Sequence, residues 1–269
     1  MSRPLWITGV LKFGFPQTWI IAKMTRWPLV GKLLDNWIFE GTSMIMVPRV
    51  IPVNLSVPAP SQTVLPLQVV EHFINQANYH WVMNECLCRA GMKCRDFPID
   101  LGCLFLGEAA LQINPKMGRQ VKKEDALEYA KRCREAGLVH LIGRAKLDEV
   151  WLKVTPGFKL LTICNCCPCC CVYNNLPDMT RDISDRFTKM PGVNVTVNDL
   201  CSGCGLCAED VCWVDAIKMV DGRAVISDMC KGCGRCLAVC KDNAIQLTIS
   251  SGQFVKNSID KIAPLVDIR

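Results

Sequence analysis

Histidine is scarce in this chain: three among 269 residues, His72, His80 and His140. Each reads as a hydrogen-bonded structural residue and not as a metal ligand. No glycine-rich phosphate loop is present, because Gly102 and Gly107 are not spaced for a dinucleotide fingerprint. No Ser-His-Asp or Cys-His arrangement can be argued from residue order. The longest uncharged stretch, Val50 to Val70, carries Pro52, Pro58, Pro60 and Pro66, which excludes a membrane-spanning helix there. Met1-Ser-Arg3 is followed by only eight uncharged residues before Lys12, with no A-x-A-like cleavage site, so no signal peptide is assigned. Nothing resembles a nucleic-acid-binding motif.

Cysteine, by contrast, is abundant, with 19 residues. Without a secretion signal, this points to metal ligation in a reducing, cytoplasmic setting and away from disulfides. Eight of them form two runs. Cys201, Cys204 and Cys207 are closed by Cys212; Cys230, Cys233 and Cys236 are closed by Cys240. Two CxxCxxC runs, each with a distal fourth cysteine, make a ligand set for two [4Fe–4S] clusters. Thiolates at i, i+3 and i+6 can curl around one face of a cubane. Gly203, Gly205, Gly232 and Gly234 let the backbone turn tightly beside the sulfurs. Zinc is the alternative, but zinc ribbons use two CxxC knuckles and would leave the third cysteine of each run surplus.

The runs belong to an internal repeat. The first three cysteines recur 29 residues later (201 to 230, 204 to 233, 207 to 236), and Cys212 recurs at Cys240, 28 residues on. Each half reads as an extended segment, a cysteine loop, a short helix and a second extended segment. Ile217–Val220 and Ala224–Ile226 read as strands around an Asp221-Gly222 turn. Residues 193–250 thereby resemble the bacterial-type dicluster ferredoxins at all eight ligand positions. The resemblance implies crossed ligation: Cys201, Cys204, Cys207 and Cys240 on one cluster, and Cys230, Cys233, Cys236 and Cys212 on the other. Two departures stand out. Four residues, not three, separate Cys207 from Cys212, and Trp213 and Lys241 replace the proline usual after the fourth cysteine.

Charge is uneven along the chain. Residues 1–60 carry six basic side chains against two acidic ones, whereas 193–250 carry five basic against seven acidic, within a net charge of +6. The basic front also holds Trp6, Trp19, Trp27 and Trp37. Ile20, Met24 and Trp27, then Val30, Leu34 and Trp37, recur at helical spacing, broken by Pro28 and Gly31. This pattern suits an arm whose apolar face packs on another subunit or on its own core, or else lies on a membrane surface. Residues 41–66, rich in proline, read as an extended linker.

The middle of the chain holds the other cysteines. Gln68 to Met83 reads as a helix, with Val70, Phe73, Ile74, Ala77 and Trp81 on one face, leading to Cys86, Cys88, Cys94 and Cys103. Cys86 and Cys88 form a CxC pair, which points both thiolates to one side of an extended backbone. Lys122 to Ala136 reads as a helix ended by Gly137, and its lone Cys133 as a small buried hydrophobe. Then come Cys164, Cys166, Cys167, Cys169, Cys170 and Cys171, six cysteines in eight residues. They cannot all face one metal, because sequence neighbours diverge. A subset of these ten is expected to hold at least one further [4Fe–4S] cluster, with Cys86, Cys88 and Cys94 preferred and completed by Cys103 or by the 164–171 run; zinc is the alternative. The order CLCR, EAGLVH and ICNCCPCCC is also similar to multi-cysteine ferredoxin-like proteins of anaerobes, over about residues 83–250. That likeness implies an anaerobic redox complex and names no ligands.

The expected class is α+β, in four parts: a docking arm and linker at 1–66, a cysteine-rich metal-binding domain at 67–180, a dicluster module at 193–250 and a tail at 251–269. The function read from these parts is a non-catalytic electron-transfer subunit, working with redox partner proteins in the cytoplasm or peripherally at the inner face of a membrane. The alternative is an enzyme whose middle-domain cluster binds substrate at an open iron, because a fully thiolate-ligated cubane passes electrons only. A weaker third class is an iron–sulfur sensor or scaffold.

Overall fold

Val139-His-Leu-Ile-Gly-Arg and Leu161-Thr-Ile-Cys-Asn-Cys are rich in β-branched and apolar residues, and both become central strands. The computed structural model describes residues 2–48, 67–249 and 253–269. In chain order the elements are α1 (Leu5–Gly14), α2 (Thr18–Met24), α3 (Pro28–Leu34), β1 (Ser43–Val47), α4 (Leu67–Gln76), β2 (His80–Met83), α5 (Leu87–Gly91), β3 (Leu104–Leu106), β4 (Gly118–Val121) and α6 (Lys123–Glu135). There follow β5 (Val139–Arg144), α7 (Lys146–Leu152), β6 (Leu161–Cys166), α8 (Arg181–Ser184), β7 (Phe187–Lys189), β8 (Val193–Val197), β9 (Ile217–Val220), β10 (Arg223–Ile226), α9 (Arg235–Val239), β11 (Ile245–Ile249) and α10 (Phe254–Ile262). The class is α+β.

Seven strands form one sheet in the order β4-β2-β3-β6-β5-β1-β7, antiparallel except for the β1–β7 pair. One face packs under α4, α6 and α10, where Val70, Phe73, Ile74, Ala130, Phe254 and Ile262 share a core with Ile142 and Ile163. Cys133 lies fully buried in that core. Strand alternation sends Cys164 and Cys166 to the opposite face, among Met44, Met46, Leu141 and Tyr173.

Three expectations change. The helix anticipated over 68–83 stops at Gln76, and His80–Met83 is a strand between β4 and β3. Tyr79-His-Trp-Val favours extended backbone, and Trp81 accordingly joins a different core from Phe73. The segment anticipated as a linker from residue 41 contributes the buried strand β1, paired on both sides; its portion over 49–66 lies outside the described residues. The sheet therefore extends beyond 67–180 at both ends, through β1 and β7.

The arm folds against the rest of the chain through small residues and two phenylalanines, Ala22, Thr25, Gly31, Phe15 and Phe39, while its large side chains face outward. Phe13 and Leu29 are more than four-fifths exposed. Gly91 of α5 lets Phe15 lie close, since a Cβ there would stand 2.5 Å from that of Phe15. Lys12 pairs with Glu85 and Asp35 with Arg186, tying both ends of the arm down. Among the described residues no helix is long and apolar enough to cross a membrane.

Candidate metal centres

The repeat folds as two interlocked halves. β8, from the start of the first half, pairs antiparallel with β11, from the end of the second. β9 and β10 form a hairpin between the cysteine loops, with Asp221 and Gly222 both at positive φ as a tight two-residue turn requires. This exchange of strands brings each fourth cysteine to the other run. Cys201, Cys204, Cys207 and Cys240 line one hollow. Cys212, Cys230, Cys233 and Cys236 line a second. Local detail repeats too. The Ala216 amide donates to Cys212 Sγ and the Ala244 amide to Cys240 Sγ, both at 3.2 Å, and Asp215 and Asn243 just before them both have positive φ. The extra residue between Cys207 and Cys212 leaves Asp210 at φ +53° and replaces by turns the helix that α9 forms in the second half.

The hollows differ in setting. Cys204 is exposed and Cys201 half-buried, and amide donors from Ala224 and Gly203 hold the Cys201 thiol below its usual range. The second hollow lies inward: Cys212, Cys230 and Cys233 pack against the core that contains Cys164, Cys166 and Cys171. Burial pushes the Cys233 thiol up to about 11.

The ten middle cysteines divide in two. Cys94, Cys167, Cys169 and Cys170 form one close group. The other six, Cys86, Cys88, Cys103, Cys164, Cys166 and Cys171, line a cavity of about 530 Å³ between the sheet and the arm, and Cys167 of the first group borders it as well. Their sulfurs form a chain of contacts: Cys86 to Cys88, Cys88 to Cys171, Cys171 to Cys166 at 3.3 Å and Cys103 to Cys164 at 3.7 Å. The Cys164 and Cys171 thiols hold Cys166 down to about 6. The quartet anticipated from Cys86, Cys88 and Cys94 does not assemble, because the turn after α5 carries Cys94 away toward Cys169. Adjacent Cys169 and Cys170 do converge, 3.6 Å apart, because they sit in a tight turn and not on a strand.

Arg89, Lys231 and Arg235 are buried, and among the described residues none of the three forms an ion pair with a carboxylate. Arg89 donates to the carbonyls of Pro98 (2.8 Å), Asn165 (2.7 Å) and Leu101, Lys231 to Ser184, and Arg235 to Cys166. Burial lowers the pKa of Lys231 and Arg235. For Arg89 the thiols of Cys86 and Cys167 outweigh burial and raise it. A buried cation needs compensating negative charge; for Arg89 and Arg235 the neighbours that supply it are cysteines, and for Lys231 they are Cys230 together with Asp185 and Asp228. That donor set and charge balance fit net-negative thiolate-ligated metal centres. Sequence reasoning passed over these cations, although each adjoins a ligand-type cysteine: Cys88-Arg89, Cys230-Lys231 and Arg235-Cys236.

One carboxyl also faces the cavity. Asp148 on α7 accepts from Trp151 Nε1 at 2.7 Å and Thr162 Oγ1 at 2.9 Å, and burial pushes it up to about 6. His80 Nε2 meets the Ile74 carbonyl at 2.7 Å and His140 Nδ1 meets Asn165 Oδ1 at 2.8 Å.

Residues 207–250, a small part of the chain, match the family described as LdpA Fe-S cluster-binding domain. No curated protein and no solved structure matches. The family match and the cysteine content together support an iron–sulfur-binding domain in this segment.

Proposed function

We propose that the chain is an electron-transfer protein of a reducing compartment, holding two [4Fe–4S] clusters in its ferredoxin-type repeat and a third cluster at the six-cysteine cavity. The observation that carries this reading is the pairing of each CxxCxxC run with the remote fourth cysteine of the other run around its own hollow. Cys201, Cys204, Cys207 and Cys240 would hold the outer cluster, and Cys212, Cys230, Cys233 and Cys236 the inner one. Bound, such clusters take up and release single electrons. The chain's own residues do the rest. The half-exposed first loop gives a partner access, Arg235 and Lys231 supply counter-charge at the second, and the apolar walls of the cavity exclude water. The outward tryptophan face of the arm suits docking on a partner subunit within a redox complex, with a membrane surface as the alternative.

The cavity and Asp148 favour a second reading. Six cysteines exceed what one cubane needs, and about 530 Å³ of mostly apolar space beside a carboxyl with a raised pKa could admit a small substrate. Iron and sulfide analysis of anaerobically purified protein, with Mössbauer spectra, tests the first reading. About twelve cluster irons, all thiolate-ligated, are expected. Eight or fewer removes the third cluster, and a distinct iron subsite responding to added small molecules favours the enzyme.

A further inference from the structure

We propose that Cys94, Cys167, Cys169 and Cys170 form a separate site for one tetrahedrally held metal ion, zinc or iron, and are not ligands of a cubane cluster. All four Sγ atoms lie within 4.8 Å of one another. Cys94 and Cys169 are 3.6 Å apart, as are Cys169 and Cys170. Four thiolates on one ion, at about 2.3 Å each, stand roughly 3.8 Å apart along the edges of the tetrahedron. A cubane sets each thiolate on a different iron, which spreads the sulfurs wider. The chain supplies its own comparison. Its two repeat quartets surround hollows without closing to this spacing, and among the described residues the Cys94 quartet is the group that does.

The local backbone is built for the same job. Cys167-Pro168-Cys169-Cys170 leaves β6 as a turn in which the Cys170 amide donates back to Cys167 Sγ at 3.3 Å. The amides of Asp96 and Phe97 likewise reach Cys94 Sγ. Such N–H···S bonds fix the direction of a thiolate and offset part of its charge. The donors are all sulfur, which selects zinc or iron over magnesium and calcium. Arg89, whose acceptors Pro98 and Leu101 lie in the loop after Cys94, faces Cys167 and balances a net-negative site.

The ion would join two segments that have no regular secondary structure: the loop between α5 and β3 and the turn after β6. Both segments border the cavity, through Cys103 and Cys167, so the ion acts as a clamp on the cavity rim. This assignment is independent of whether the cavity holds a cluster.

The test uses the full chain purified anaerobically, with zinc and iron counted and X-ray absorption recorded at both metal edges. The expected result is one zinc, or one mononuclear iron, with four sulfur neighbours near 2.3 Å. Cys169→Ala, at an exposed side chain, and Cys94→Ala should each lose that one ion while keeping all acid-labile sulfide. Absence of any mononuclear metal in the native protein overturns the proposal. So does loss of about four irons with their sulfide in either variant, which would make the quartet a cubane site. Retention of the ion by both variants also overturns it.

Discussion

The guanidinium of Arg235 donates from Nη2 to the backbone carbonyl of Cys166 at 2.7 Å. One residue thereby links the cysteine loop of the second hollow to the strand that carries two cavity cysteines. Its charge lies beside Cys233 and, across the contact, near Cys166, Cys167 and Cys171. A fixed cation favours the more negative, reduced form of a neighbouring cluster. Replacing Arg235 with Met should lower the reduction potential of the inner cluster, by about 60 mV for a tenfold change in relative stability of its two oxidation states. Arg235→Lys should recover most of that shift. Redox titration followed by EPR checks both, and an unchanged potential in Arg235→Met would show that the charge does not act on a cluster.

The proposed crossed ligation makes the remote cysteines diagnostic. Cys240→Ser should alter the spectrum of the cluster held by Cys201, Cys204 and Cys207, although Cys240 follows the other run. Cys212→Ser should alter the one held by Cys230, Cys233 and Cys236. Mössbauer or EPR spectra in which Cys240→Ser damages only the Cys230 cluster would contradict the pairing.

Gly203 and Gly222 separate backbone strain from steric need. Both have positive φ, +75° and +74°. A Cβ on Gly222 meets nothing within 4 Å, whereas one on Gly203 would stand 2.1 Å from the Gly222 carbonyl oxygen. Gly222→Ala should therefore cost ~1–2 kcal/mol, the left-handed penalty alone. Gly203→Ala should add ~1–3 kcal/mol for the clash. Half-lives of the cluster absorbance on heating provide the comparison, and equal losses in the two variants would rule out the clash.

Much of this arrangement was legible because cysteine spacing is a covalent fact, and the glycines and the Asp221-Gly222 turn sit where the repeat needs them. The partition of the middle cysteines was not. It depends on which face of β6 each residue takes and on where the strand ends, so Cys166 and Cys167, adjacent in sequence, both border the cavity while Cys167 also joins the Cys94 group. Cys94 is drawn away from Cys86 and Cys88 by a turn that includes Lys93 at φ +51°, a conformation its sequence does not advertise. The helix anticipated through Trp81 failed for a related reason. A buried apolar run serves a strand as well as a helix, and the sheet decided between them.

The arm changes what a docking test must be. Its helices cover the cavity through Phe15 and neighbouring residues, so deletion would expose cavity cysteines as well as remove a surface. Trp6→Ser with Trp27→Ser, at side chains 71% and 58% exposed and away from the cavity lining, spares the covering contacts. The pair should weaken association with a co-purifying redox subunit, read by sedimentation, with iron and sulfide content unchanged. Loss of binding to anionic vesicles instead would assign the face to a membrane surface. No change in either assay would leave the arm as a cover alone.

Asp148 gives the cavity a pH signature. Its carboxyl is raised from 3.8 to about 6 by burial, against the pull of the Trp151 and Thr162 donors. The folded protein therefore holds this proton more tightly than the unfolded chain. The stabilisation is fully present below the unfolded value near 4 and is lost as pH rises through the folded value near 6, amounting to ~3 kcal/mol across the window. Asp148→Asn keeps the shape and cannot ionise. Relative to this variant, the cluster-loaded wild type should lose stability between pH 5 and pH 6.5 and then change little up to pH 8. Denaturant midpoints of the two proteins at each pH measure the difference. A constant difference would mean that Asp148 is solvated, and a widening advantage for the wild type at higher pH would mean that a cation faces its carboxylate across the cavity.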